Sequence, residues 1–499
     1  MAYDCDVLVI GSGAGGATFA YACAAAGKSV LLVERGSRYP LQSREINEQS
    51  MLIEKRPYDD RIISVNGADK RLYIGGVLGG GTSLYGAALM RPSKEDFLPG
   101  RFYGRRLPPS IWEWPIQYED LEPYYDEAES LYGVAGSTED DFGPLGKPAG
   151  GFPGQLLPVR PINRLLMHAN QAAGLRPFRL PLAIDFQHCL NCAACPGHIC
   201  PSGARRSAAQ LLDRCLAERS QLHVRTGTEV ERLVIDPRGQ VSGVLVRDRA
   251  TGRQTVCRAR RYALAAGALQ SPALLLRSRI EGHLIGRNYM FHLSPIVAGL
   301  FLRRTRGDQT FIKQVGFADY YFGTRTFRHK LGLIQSLPVP GPRMLIQSGG
   351  KYLPPRLLGL LRERMLPLVG IVEDLPNPAN RVTLDREGGA QLQHAFSPYD
   401  DQRGRYLSSL MKRILERAGA MTCLARPFPS AEHVAHQCGT LRFGRRAADA
   451  VVDPDCRLFG QPNVFVVDGS IFPTSLGVGP ALTIMANALR VARIVLREL

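Results

Sequence analysis

Residues 6–10, Asp-Val-Leu-Val-Ile, form an apolar run of the kind buried on both faces of a parallel sheet, and Gly11-Ser-Gly13-Ala-Gly-Gly16 follows at once. An Ala-rich, helix-forming segment continues through Ala26, Gly27 stops it, and Ser29–Val33 reads as a second strand ending at Glu34. This is a complete β-turn-α-β unit, and no other stretch restricts the fold so sharply. Gly11 permits the tight turn, Gly13 lets the backbone approach a pyrophosphate, and Gly16 lets the helix pack on the strand. The helix N-terminus adds free N–H groups and the positive end of its dipole. Glu34, 18 residues beyond Gly16, is placed to accept hydrogen bonds from ribose hydroxyls. The unit predicts a dinucleotide site. By itself it does not separate FAD from NAD.

The composition of the whole chain is that of an ordinary soluble globular protein, slightly rich in Gly. Its 499 residues correspond to about three domain units, and 45% hydrophobic with 21% charged residues excludes disorder, collagen and coiled coil. No run of about 18 apolar residues and no export signal is apparent, so a cytoplasmic protein is expected. The net charge of +17 comes mostly from scattered arginine. Without a basic stripe interleaved with aromatics it reads as a solvated surface, not a nucleic-acid site. Eleven cysteines are too few for a disulfide scaffold at this length.

Two further Gly-rich loops, each after an apolar run, exceed what a nicotinamide site needs and suit a long flat cofactor. They belong to a series of segments spread over nearly the whole chain: Glu34-Arg-Gly36, Gly75-Gly-Val-Leu-Gly-Gly-Gly81-Thr-Ser-Leu-Tyr85-Gly, Trp114–Tyr125, Ala265–Pro272, Ile285–His292, His436-Gln-Cys-Gly-Thr440, Val467-Asp-Gly-Ser-Ile-Phe-Pro-Thr474 and Gly477–Ile484. In this order and spacing the chain resembles the glucose-methanol-choline (GMC) family of flavin oxidoreductases. The resemblance implies FAD, with Glu34 on the adenosine ribose and Val230 near the adenine. It places Gly80, Gly81 and Thr82 beside the pyrophosphate or flavin, and Asp468 and Gly469 at the pyrophosphate and ribityl chain. Val478, Gly479, Pro480 and Ala481 would lie by the pyrimidine ring. Thr82–Tyr85 contains no His, so the flavin is expected to be noncovalent.

The implied architecture is a Rossmann-like FAD-binding domain from residues 1–100, 215–290 and 430–499. A second, α+β substrate lobe on an antiparallel sheet comes from 101–214 and 291–429. Residues 140–160 read as an irregular connection, Pro338–Pro342 as a break, and Leu368–Asp374 and Asn380–Asp385 as strands. Pro354–Pro367 reads as a helix packed on the lobe through its leucines, with a lid or membrane contact as the lesser alternative.

His436 matches the family's base, and a His suits removal of a hydroxyl proton while flavin N5 takes the hydride. The expected reaction is oxidation of a CH–OH group of a small molecule, with oxygen or another acceptor reoxidising the flavin. His292 and His433 are read as structural. One position departs from the family pattern: relatives place Asn or His where this chain has Gly479, so Tyr85 or Asn487 would have to supply the missing contact, or the substrate would, or the chemistry differs. Desaturation or another tailoring reaction is the alternative.

Cys189-Leu-Asn-Cys192-Ala-Ala-Cys195-Pro-Gly-His-Ile-Cys200-Pro approaches the bacterial ferredoxin spacing, with one extra residue in the last gap. It reads as a metal-free loop. An iron-sulfur cluster in an electron-transferring subunit, or zinc with His198 as a further ligand, remains open.

Overall fold

A computed structural model describes residues 3–40, 46–347, 353–426 and 432–499. The opening unit forms as expected, with a strand at Cys5–Ile10, a helix at Ala14–Ala25 and a strand at Val30–Val33. These strands lie within a five-stranded sheet ordered Val464–Val466, Ala259–Leu264, Cys5–Ile10, Val30–Val33, Leu222–Arg225. Every pairing in it is parallel. Val7, Leu8 and Val9 are fully buried, as a strand covered on both faces requires. Helix Ala481–Arg497 packs against Ala14–Ala25 and against Tyr118–Leu131.

An antiparallel meander, Thr228–Ile235, Val241–Asp248 and Gln254–Cys257, follows the last parallel strand before it. A six-stranded antiparallel sheet runs in the order Thr422–Arg426, Ile296–Leu300, Met365–Ile371, Leu333–Ser336, Val315–Phe317, Phe178–Arg179. Helices Pro161–Gln171 and Pro398–Arg417 share its hydrophobic core. A four-stranded sheet joins Ile62–Val65 and Ala68–Arg71 to Arg381–Leu384 and Ala390–Gln393. The segments read from sequence as cofactor domain and substrate lobe therefore share one sheet.

The leucine-rich segment divides differently from the sequence reading. Its helix spans Pro355–Glu363 and buries only Leu358, whereas Leu357 and Leu360 are exposed. Met365–Pro367 belongs to the buried strand Met365–Ile371, where pairing with Ile296–Leu300 overrides helical periodicity. Residues 140–160 hold no helix or strand, as expected. Among the described residues no helix is long and apolar enough to cross a membrane.

Candidate active site

The carboxyl ends of the parallel strands carry the glycine loops, the edge at which open α/β sheets bind ligands. A Cβ built on Gly16 would lie 2.0 Å from the Gly11 carbonyl oxygen, and one on Gly15 would lie 1.7 Å from that of Val467. Helix and strands approach that closely only without side chains. By contrast, a Cβ on Gly13, Gly81 or Gly267 meets no atom within 4 Å. These three loops therefore border open space, while Gly80 comes within 3.2 Å, measured from its built Cβ, of the Gly13 α-carbon. Such a cradle fits a dinucleotide of the FAD type.

Hydrogen bonds fix the cradle. Glu34 accepts from the Ser12 amide at 3.0 Å, the Ser12 hydroxyl at 2.6 Å and the Gly36 amide at 2.6 Å. Ser12 Oγ in turn accepts from the Gly79 amide at 2.8 Å, tying the fingerprint to the second glycine loop. Burial raises the Glu34 carboxyl above its ordinary range, opposed by those hydrogen bonds. Thr82 is spent on the scaffold, donating to the Gly79 carbonyl and accepting from the Ala208 amide. Asp468 is equally engaged: it accepts from the Gly267 amide, Ser271 Oγ, and the Ser470 amide and hydroxyl. Its side chain shapes the turn, which leaves backbone to face a ligand. Gly469 is forced by the Gln437 carbonyl, 2.8 Å from a built Cβ. Val230 is buried in the meander, two residues past Thr228, whose amide donates to the Glu34 carbonyl. Val478, Gly479 and Pro480 lead into the helix that begins at Ala481, so its N-terminal N–H groups adjoin that turn.

His436 stands at the seam between these loops and the antiparallel sheet. The backbone bridge Met290↔Cys438 draws two chain segments together, and the histidine two residues from each bridge position reaches the other. His436 Nδ1 and His292 Nδ1 are 3.1 Å apart, with the rings crossed at 84°. His292 Nε2 lies 2.8 Å from the Leu476 carbonyl oxygen. The partners assign the tautomers. A carbonyl only accepts, so His292 carries its proton on Nε2 and offers a lone pair at Nδ1. His436 must then donate from Nδ1, which leaves its Nε2 unprotonated. Burial lowers His292 to about 4, and burial, His292 and Lys313 hold His436 well below the usual histidine value, so both rings are neutral at pH 7.

The free nitrogen faces Gly479, where a built Cβ would lie 3.5 Å from Nε2. His436 and Leu476 both adopt left-handed backbone, with φ of 67° and 65°, which costs an L residue of order 1–3 kcal/mol. Two such residues at one imidazole pair mark a built site.

The two substitutes considered for the missing partner are engaged elsewhere. Tyr85 donates its hydroxyl to the Arg206 carbonyl at 2.5 Å, and Asn487 bonds Cys456 Sγ and Arg490. His433 stacks on Tyr73 with centroids 4.4 Å apart, a packing role. His292, read from sequence as structural, is the direct partner of His436. Its motif was visible, but its contact depends on the long-range bridge.

All eleven cysteines are free thiols. Cys189, Cys192, Cys195 and Cys200 line one small cavity with Arg205 and Phe311. Arg205 donates to Cys195 Sγ and to the Tyr85 carbonyl, fastening this loop to the one that follows Gly81. Among the described residues no three His, Cys, Asp or Glu side chains are grouped to hold a metal ion, so zinc gains no support.

This arrangement defines a dinucleotide-type cradle of glycine loops with an imidazole pair at its margin. The chain matches the GMC oxidoreductase signatures over residues 5–294 and 376–488, and it belongs to that family. It is 32% identical to 6'''-hydroxyparomomycin C oxidase of Streptomyces lividus, over 99% of this chain and 92% of that protein. It is 31% identical to paromamine 6'-oxidase of Streptomyces fradiae over the same shares. Among solved structures, pyridoxine 4-oxidase from Mesorbium loti superposes with a TM-score of 0.68 at 20% identity, over 98% of this chain and 99% of that one. The protein is thus an FAD-dependent oxidoreductase acting on CH–OH donors.

Proposed function

We propose that the chain oxidises a CH–OH group of a small molecule to a carbonyl and that His436 Nε2 takes the hydroxyl proton. The observation that supports this is the relay Leu476 carbonyl, His292, His436, which leaves Nε2 as a lone pair facing the space at Gly479. Bound FAD supplies the two-electron acceptor at its N5. When His436 gains the substrate proton, Nδ1–H stays donated to His292, so the imidazolium forms without a change of partner. His292 is a positioning residue: it sets the tautomer and touches no substrate. The low pKa of His436 keeps it a proton acceptor across the neutral range.

Gly13, Gly80, Gly81, Gly267 and the turn Val478–Ala481 are assigned to the cofactor, with Glu34 toward the ribose and Val230 toward the adenine. Glu34 has about four acceptor sites and uses three on the protein, leaving one for a hydroxyl. The cofactor is held without a covalent bond, and the free thiols are consistent with a reducing cytoplasm. The test is anaerobic flavin bleaching by a panel of alcohols, sugars and sterols, with paromamine and 6'''-hydroxyparomomycin C placed first because of the relatives' names. Bleaching that is lost in His436→Ala supports the reading. A wild-type flavin that no CH–OH compound bleaches refutes it.

A second reading, an electron-transferring subunit, rests on the four thiols around one cavity next to the flavin loop. A cluster spreads its ligands wider than a single ion does. It requires iron and acid-labile sulfide in anaerobically purified protein, and a pure flavin spectrum without iron eliminates it.

A further inference from the structure

Gly479 leaves an alcohol oxygen with a base on one side and no side-chain donor from that loop. We infer that Lys313 is that donor: its ammonium holds the substrate oxygen while His436 Nε2 takes the proton. This rests on the CH–OH reading above and names a further catalytic residue for it.

Lys313 precedes strand Val315–Phe317 and is 5% exposed. Its Nζ donates to the Gly86 carbonyl at 3.0 Å, and a Cβ on Gly86 would lie 2.1 Å from Nζ. The ammonium therefore rests on the α-carbon of a glycine only five residues past Gly81, in the loop that borders the cradle. An ammonium has three N–H groups, and this is the single acceptor it meets among the described residues. No carboxylate pairs with it there. The other buried lysines differ: Lys330 is held by Asp96 and Glu373, and Lys55 by Glu432. An unpaired buried cation is costly, and the cost is met where a ligand supplies the missing partner. The charge of Lys313 is felt at His436, and Cys195 and Arg205 act on Lys313 in turn, in keeping with its seat on the Gly86 loop. Burial first, then Arg205, lowers Lys313 to about 8, so it remains largely protonated at pH 7.

The step balances without a further reactant. The O–H proton passes to His436 Nε2, the C–H bond breaks with its electron pair going to the flavin, and the oxygen stays hydrogen-bonded to Lys313 as it becomes a carbonyl. Lys313 keeps its three protons throughout. A donor used in this way is worth about 100-fold to 1000-fold in rate.

The test uses holoenzyme and two readouts, the anaerobic flavin-reduction rate and the spectral shift of the flavin on titration with acetate, whose anionic oxygen imitates the alkoxide. Lys313→Met is expected to retain FAD, reduce its flavin about 100-fold to 1000-fold more slowly and bind acetate at least about tenfold more weakly. Lys313→Arg, which keeps the charge, should recover acetate binding. Wild-type flavin reduction should fall above about pH 8, and Lys313→Met should lack that limb. His436→Ala should lose reduction and still bind acetate. Acetate binding unchanged in Lys313→Met overturns the inference even if no alcohol proves to be a substrate. Should Lys313→Met fail to hold FAD, acetate affinity in Lys313→Gln decides on the same criterion.

Discussion

Gly479→Ala probes the site with a single methyl group. The residue does not occupy the left-handed region, and its built Cβ has His436 Nε2 at 3.5 Å and Cε1 at 3.7 Å as its nearest neighbours, both ordinary contacts. The fold should accept the change. A compatible Gly→Ala replacement restricts the unfolded chain and stabilises by about 0.4–1 kcal/mol. The same methyl occupies the approach to Nε2, where a substrate hydroxyl must come within about 3 Å. Overfilling a fitted space costs about 1–3 kcal/mol, which here falls on the transition state and corresponds to about 5-fold to 150-fold in kcat/KM. A thermal melt paired with the rate of anaerobic flavin reduction checks both signs. Equal or raised Tm with reduced kcat/KM is expected. Unchanged kcat/KM would show that substrate does not reach the imidazole from this side, and the assignment of Nε2 as the base would fall.

Gly15→Ala should prevent assembly of the cofactor half, because its methyl would lie 1.7 Å from the Val467 carbonyl oxygen; purified protein retaining FAD at a normal melting temperature would contradict the packing. His292→Phe removes the acceptor for His436 Nδ1–H and should lower kcat by about tenfold or more while FAD content stays constant, since one net hydrogen bond is worth about 0.5–1.5 kcal/mol and the wrong tautomer adds to that loss. Acid stability follows from histidines buried neutral. His292 and His433 are lowered to about 4 by burial, so below about 6.5 the unfolded chain binds protons that the folded one refuses. Each should cost up to about 3 kcal/mol as pH falls from 6.5 to 4, and urea titrations showing flat stability over that window would exclude it. Acid precipitation should leave all yellow colour in the supernatant, whereas colour retained in the pellet would reveal a covalent flavin.

The cofactor half was legible because its information is local. Gly11, Gly13, Gly16 and Glu34 lie within 24 residues, and each residue type answers a steric or hydrogen-bonding demand made by its immediate neighbours. The imidazole pair was half legible. His436 stands in a recognisable run, but the role of His292 arises from a backbone bridge between residues 290 and 438, which no periodicity announces. Tyr85 was a reasonable donor by position, yet its hydroxyl is captured by the Arg206 carbonyl. Pro354–Pro367 looked helical throughout because Leu and Arg recur at suitable intervals, whereas its last residues complete a sheet whose partners lie some 70 residues upstream. Lys313 belongs to no motif, and only the shortage of acceptors around its buried ammonium singles it out.

The packing of helix Ala481–Arg497 against helix Ala14–Ala25 has a consequence for biosynthesis. The glycine turn at residues 11–16 leaves the ribosome long before the carbonyl of Val467 and the strand Val464–Val466 that complete its surroundings. A complete cofactor cradle therefore waits until the segment through Val467 has emerged. Shortened products lacking these closing elements would stay colourless, so absorbance of the bound vitamin derivative reports directly on whether translation and closure were both finished.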